Sequence, residues 1–204
     1  MPIKVIIPSK HTPGVYMSTN KIDGVYVIEP KAFKDDRGYF MESFNKQDFV
    51  NNGIFNADCE FIQDNESESS YGVVRGLHIQ LPPYNQAKIV RVVNGTVLDV
   101  IVDARPWSKT FGEYVAVELS DNNKRQLYVP HYFLHGFAVL SPKARFLYKV
   151  DAPYNKSSEF GIRYDDKQVG INWHALTGIP NDKIITSEKD KIANTLQDLK
   201  QRLR

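Results

Sequence analysis

The stretch from Lys88 to Asp103 constrains this chain most. It reads KIVRVV, then Asn94-Gly95, then TVLDVIVD. Branched apolar residues fill both arms, as strands prefer. Asn-Gly tolerates the positive φ angles of a two-residue turn, so the segment predicts a β-hairpin. Further strands follow at short intervals: Tyr114–Leu119, Arg125–Val129, Phe137–Leu140 and Ala144–Val150, with Asp121-Asn122-Asn123 and Ser141-Pro142-Lys143 as turns. Strands with turns every 8–12 residues and no long helix between them predict a β-sandwich or barrel. Helix is expected only at the margins. Lys46–Asn51 could supply one short helix. Ile192, Leu196, Leu199 and Leu203 share one face at 3–4 residue spacing, which predicts a C-terminal helix over Asp190–Arg204. Residues 1–22 are turn-rich and read as an N-terminal extension, and residues 23–204 read as a single domain.

Composition narrows the function classes. With 26 Lys and Arg against 24 Asp and Glu, the formal charge is only +2. There is no basic stripe for nucleic acid. A single cysteine, Cys59, excludes an intrachain disulfide. No apolar run approaches the ~20 residues that span a bilayer, and the first residues lack the pattern of a signal peptide. A cytoplasmic location is expected, with no membrane partner.

The densest run of reactive residue types is Arg75-Gly76-Leu77-His78-Ile79-Gln80. On a strand Gly76, His78 and Gln80 share a face, and the Pro82-Pro83 turn returns Lys88 toward it. Two readings fit: a base beside an electrophilic stabiliser, or a core histidine with a solvated strand-end lysine. His131 and His135 are four apart but flanked by Pro130 and Gly136, so they read as a strand entry, and no metal is expected. Asp35–Glu42 turns into a strand. Arg37 there, like Arg75, is either an ordinary ion-pair former or a fork for phosphate. No phosphate-binding glycine loop is present. Tyr148 and Tyr154 read as core aromatics or site groups. Ser187 followed by Asp190 matches a helix cap. Cys59 lacks a basic activating neighbour and reads as inert.

Taken together, these strings resemble the sugar-nucleotide 3,5-epimerases of the cupin superfamily. The matching segments are DDRGYFMESF (Asp35–Phe44), Gln63-Asp64-Asn65, RGLHIQLPPYNQAKIVRVVNGTVLDVIVDAR (Arg75–Arg105), LHGFAVLS, FLYKVDAPYN with Glu159, and SEKD. The pattern departs at Ile79, at His131-Tyr132 and at Trp173-His174. The resemblance implies a mainly β fold: a cupin-like jelly-roll β-barrel with short peripheral helices and a C-terminal helix. It also implies a homodimer with subunit-shared sites and no cofactor. The expected substrate is a nucleotide-linked 4-keto-6-deoxyhexose. The expected reaction is epimerisation at C3 and C5 of dTDP-4-dehydro-6-deoxy-D-glucose, a step toward dTDP-L-rhamnose.

By the same resemblance His78 is the base, Asp190 its partner, Lys88 the group at the C4 oxygen and Tyr148 the opposing acid. Arg37, Phe40 and Glu42 match a stretch that reaches the nucleotide of a neighbouring subunit. Gln63, Asn65, Arg75, His135, Tyr154 and Glu159 match other substrate contacts. The chemistry is coherent. A proton beside a ketone leaves as an enolate with charge on the ketone oxygen, and inversion needs its return from the other face. The alternatives are a single-centre epimerase, a 3,4-ketoisomerase, a non-catalytic sugar-binding cupin, and a metal-dependent cupin oxygenase.

Overall fold

Among the described residues, 3–203 of a computed structural model, every strand longer than five residues lies between Gln63 and Val150. In chain order the first strands are β1 (Ile3–Ile6), β2 (Val15–Met17), β3 (Tyr26–Pro30), β4 (Phe33–Asp35) and β5 (Gly38–Phe40), followed by helix α1 (Lys46–Asn51). The central strands are β6 (Gln63–Ser70), β7 (Val74–Gln80), β8 (Lys88–Asn94), β9 (Thr96–Asp103) and β10 (Tyr114–Ser120). They continue with β11 (Gln126–Val129), β12 (Phe133–Val139) and β13 (Lys143–Val150). A short β14 (Glu159–Gly161) and helices α2 (Trp173–Thr177), α3 (Glu188–Lys191) and α4 (Leu196–Arg202) complete the chain.

The strands form two six-stranded sheets, ordered β1-β3-β11-β8-β13-β6 and β14-β7-β12-β9-β10-β2. The inner eight, β6-β13-β8-β11 facing β7-β12-β9-β10, are interleaved as two Greek keys, which is the jelly-roll arrangement. No ladder joins the two sheets among the described residues, so the jelly roll is a two-sheet sandwich and not a closed barrel. The expected N-terminal extension supplies an edge strand to each sheet: β1 pairs with β3 and β2 with β10.

The sandwich corrects one expectation. Asn94-Gly95 turns the chain, but β8 and β9 are not ladder partners. β8 pairs with β11 and β13, β9 with β10 and β12. The turn is a corner that moves the chain between sheets. Gly95 has φ +82°, and a Cβ there would lie 2.1 Å from the Lys143 carbonyl oxygen. Local turn chemistry was legible, while the ladder partner is a long-range choice made by burial. β9 shows why: Val97 and Ile101 face the interior between the sheets, and Leu98, Val100 and Val102 face a second core on the outer side. A strand covered on both faces reads as a continuous apolar run.

That outer core is covered by the C-terminal region, through Val169, Ile171, Trp173, Ile179, Leu196 and Leu199. Here a second expectation fails. The helix over Asp190–Arg204 is broken between Lys191 and Leu196, and Ile192 is 83% exposed; Arg204 lies outside the described residues. The break has a cause. Asn194 donates its backbone N–H to Gly161 and accepts from Arg163, tying this stretch to the strand edge. Thr195 then caps α4 reciprocally with Asp198, an S/T-x-x-acid signal of the capping-box kind. Leu196 and Leu199 are fully buried, each worth about 1.5–3 kcal/mol. Lys46–Asn51 forms the expected helix, which lays Phe49 over the outer face of the first sheet.

Candidate active site

Gly76 shapes the strand that presents His78. It has φ +104°, and a Cβ on it would lie 2.6 Å from the His135 carbonyl oxygen and 2.7 Å from Gly136 Cα. Only glycine allows this approach. Opposite it, the β7–β12 ladder shifts register between His135 and Phe137. Irregularities of this kind re-aim side chains near sites.

His78 lines a cavity of about 500 Å³, together with Arg75, Lys88, His135, Phe146, Tyr148 and Asp190. Its Nε2 lies 2.6 Å from Asp190 Oδ1, and Asp190 is buried. Asp190 reaches this position because Ile185 bridges to Val73 in parallel register and Ser187 caps α3 through the Asp190 N–H. Burial works to raise the Asp190 pKa, but hydrogen bonds from His78, Ser187 and the Gly76 backbone outweigh it, so the carboxyl sits below its ordinary value. A charged carboxylate on one ring nitrogen fixes the tautomer of the other and stabilises the imidazolium.

Lys88 and Tyr148 come from the opposite sheet. Lys88 opens β8, pairing with Val129 on one side and Val150 on the other. Its ammonium lies 5.8 Å from the Tyr148 ring centroid. Burial pushes its pKa down to about 8, against the charges of Asp99 and Glu159, which hold it up. The Tyr148 phenol is raised by burial, partly offset by Arg75.

The remaining expected residues divide into two groups. Gln63, Asn65, Tyr154 and Glu159 line a continuation of the cavity that also includes His78, Lys88 and Tyr148. Gln63 Nε2 donates to Asn65 Oδ1 at 2.8 Å. Tyr154 donates its hydroxyl to Glu159 at 3.0 Å, and Lys189 pairs with Glu159 at 2.6 Å. Arg75 Nε donates to Ser69 at 3.0 Å. His135 is buried, with Nε2 2.8 Å from Asp99 Oδ2, and stacks on Phe146. Arg37 and Phe40 are not brought to this cavity within the chain. They lie on the β4–β5 hairpin, where Arg37 pairs with Asp35 and Phe40 is 69% exposed. Glu42 follows that hairpin, and its side chain accepts a hydrogen bond from Asn45.

Asp99, which bonds to His135 and whose charge acts on Lys88, was passed over by the sequence reading. It is fully buried on the inner face of β9, and its Oδ1 has no hydrogen-bond partner among the described residues. Its signal was present: Asp99 interrupts the apolar run of TVLDVIVD. An acid at such a position must be paired or functional. The same described residues contain no group of three His, Cys, Asp or Glu side chains in metal-ligand arrangement.

Residues 19–198 match the family model described as dTDP-4-dehydrorhamnose 3,5-epimerase. The chain belongs to that family. Within the family, it is 49% identical to the dTDP-4-dehydrorhamnose 3,5-epimerase of Shigella flexneri, over 83% of this chain and 92% of that one. Among solved structures of epimerases, that of dTDP-4-dehydrorhamnose 3,5-epimerase from Elizabethkingia anophelis NUHP1 superposes with TM-score 0.81 at 44% identity, covering 91% and 98% of the two chains. The dTDP-6-deoxy-D-glucose-3,5-epimerase from Legionella pneumophila Philadelphia 1, solved in complex with dTDP-4-keto-L-rhamnose, gives TM-score 0.82 at 41% identity, covering 93% and 96%. No helix among the described residues of this epimerase-family chain is long and apolar enough to cross a membrane.

Proposed function

We propose that this chain inverts C3 and C5 of dTDP-4-dehydro-6-deoxy-D-glucose to give dTDP-4-dehydro-L-rhamnose. One observation carries the reading. His78, paired with Asp190 of α3, and the Lys88–Tyr148 pair enter one cavity from opposite sheets. A sugar ring seated between the sheets has an imidazole on one face and a phenol on the other.

His78, oriented by Asp190, removes the proton on a carbon next to the C4 ketone. Such acid–base help contributes about 10²–10⁴-fold. Charge develops on the C4 oxygen, and the Lys88 ammonium stabilises it in a site where burial excludes water. Tyr148 returns a proton from the other face, which inverts the centre. His135 and Asp99 hold the floor beside Lys88. Gln63, Asn65, Arg75, Tyr154 and Glu159 provide polar contacts for the nucleotide and sugar. The binding of dTDP-4-keto-L-rhamnose by the Legionella relative supports the substrate class.

The protein works as a homodimer on this reading. Phe33, Tyr39 and Phe40 on the β4–β5 hairpin are all at least half exposed, an aromatic surface that a second copy would cover. Arg37, Phe40 and Glu42 then complete the partner's site. The test is turnover in deuterium oxide followed by proton NMR. Deuterium at both C3 and C5 of an L-configured product is expected; unlabelled product overturns the proton-transfer mechanism, and label at one carbon makes the enzyme a single-centre epimerase.

A further inference from the structure

Lys88 has its strand-mates Val129 and Val150 on either side, and just beyond them the ends of the three strands are tied by a single carboxylate. Asp151 Oδ1 accepts the Ala87 backbone N–H at 2.7 Å. Its Oδ2 lies 2.7 Å from His131 Nε2 and 3.9 Å from Cys59 Sγ. His131 follows β11 and Asp151 follows β13, so the pair closes a brace across the mouth of β11, β8 and β13. Gln86 adds a bond from its side chain to the Ala152 carbonyl, at 2.7 Å. The Asp151 side chain is only 9% exposed, against 44% for that of His131.

We propose that Asp151, steadied by His131, is a positioning residue for Lys88, setting the start of β8 so that the ammonium meets the ketone oxygen of the substrate. The inference rests on the role proposed above for Lys88. Lys88 is the first residue of its strand, and strand ends fray unless tied. A lysine side chain has four rotatable carbons, so its head is placed well only if its backbone is held. A misplacement of about 1 Å in such a site can cost about 10²-fold in rate. Cys59 serves the same brace as a neutral donor: burial, then the neighbouring Asp151 charge, pushes its thiol up to about 11.

The brace also bears on water. Burial holds Lys88 near 8 against the charges of Asp99 on β9 and Glu159 on β14, and Arg75 and His78 on β7, His135 on β12, Tyr148 on β13 and Lys189 and Asp190 on α3 line the same cavity. Loosening Ala87 admits water beside the ammonium and returns its pKa toward the ordinary ~10.4.

The experiment compares Asp151→Leu, Asp151→Asn and His131→Ala with wild type and with Lys88→Ala. Asp151→Leu should lower kcat about tenfold or more while KM and dTDP affinity stay within about twofold. Its alkaline limb in kcat/KM should move upward from about 8. Asp151→Asn, which keeps an acceptor for Ala87, should recover most of the rate. His131→Ala should show the same changes more weakly, and it decides the matter if Asp151→Leu does not fold. Wild-type kcat and an unmoved limb in His131→Ala and Asp151→Leu, with Lys88→Ala inactive, overturn the inference alone. A loss that only follows the folded fraction overturns it equally. An active Lys88→Ala removes the reading beneath it.

Discussion

His78 and Asp190 are 112 residues apart in the chain and 2.6 Å apart in the fold. The carboxylate arrives on a four-residue helix tied to the second sheet by the Val73–Ile185 bridge that precedes it and by Lys189, which pairs with Glu159 on β14. Removing its charge while keeping its shape tests what it contributes. Asp190→Asn should lower kcat about 10²–10⁴-fold, because the imidazolium loses its counter-charge and its tautomer is no longer set. Affinity for dTDP by calorimetry should change little. A variant with near-normal kcat would make Asp190 a cap only.

Tyr148→Phe separates the two halves of the reaction. His78 still faces the same carbon, so proton removal should continue, and deuterium should enter recovered substrate without inversion. Full conversion to L-configured product by this variant would assign the returning proton to another group.

Lys88 gives a pH signature in stability as well as rate. Its folded pKa of about 8 lies below the ordinary lysine value. Between those two values the unfolded chain holds the proton and the folded one does not, so folded stability rises with pH. Wild type should therefore gain thermal stability relative to Lys88→Met from about pH 8 to about pH 10.4. Its turnover should fall around pH 8, as the folded-state ammonium is lost. A stability difference between the two that stays flat with pH would mean that Lys88 is solvated.

Gly76→Ala places a methyl against the His135 carbonyl at 2.6 Å, and φ +104° is strained for alanine. Neither obstacle is a flexible side chain. The cost should be at least about 1–3 kcal/mol from backbone strain, with the clash added, and a melting curve would record it. An unchanged melting temperature would show that the β7–β12 irregularity relaxes freely.

The shared-site dimer predicts complementation. Arg37→Ala and His78→Ala, each of low activity alone, should recover activity when unfolded and refolded together, since a mixed dimer holds one site free of both changes. No recovery, or a monomer in sedimentation, would place Arg37 outside the partner's site.

Much of this was readable from the chain. Reactive types at RGLHIQ and QAK, tyrosine in FLY and the acid of SEKD pointed to residues that the fold brings into one cavity, because chemistry is carried by residue type. Turn residues were equally plain: Asn94-Gly95 does turn, and Ser187 does cap Asp190. The partners of those local features were not. The Asn94-Gly95 corner joins two sheets, and the apolar stripe from Ile192 onward is interrupted where Asn194 is tied to Gly161.

Asp99 and Asp151 show where local reading stops. Each is an acid whose meaning depends on what it touches: the buried His135 in one case, the Ala87 N–H and His131 in the other. Those neighbours come from strands far apart in the chain that become adjacent only in the assembled sheets. By itself the chain determined which groups were available and where it would turn. The tertiary structure alone decided which sheet each strand joined, and so which face of a bound ring meets each group. Burial of apolar surface is non-directional and acts over the whole chain, so no window of sequence contains that choice.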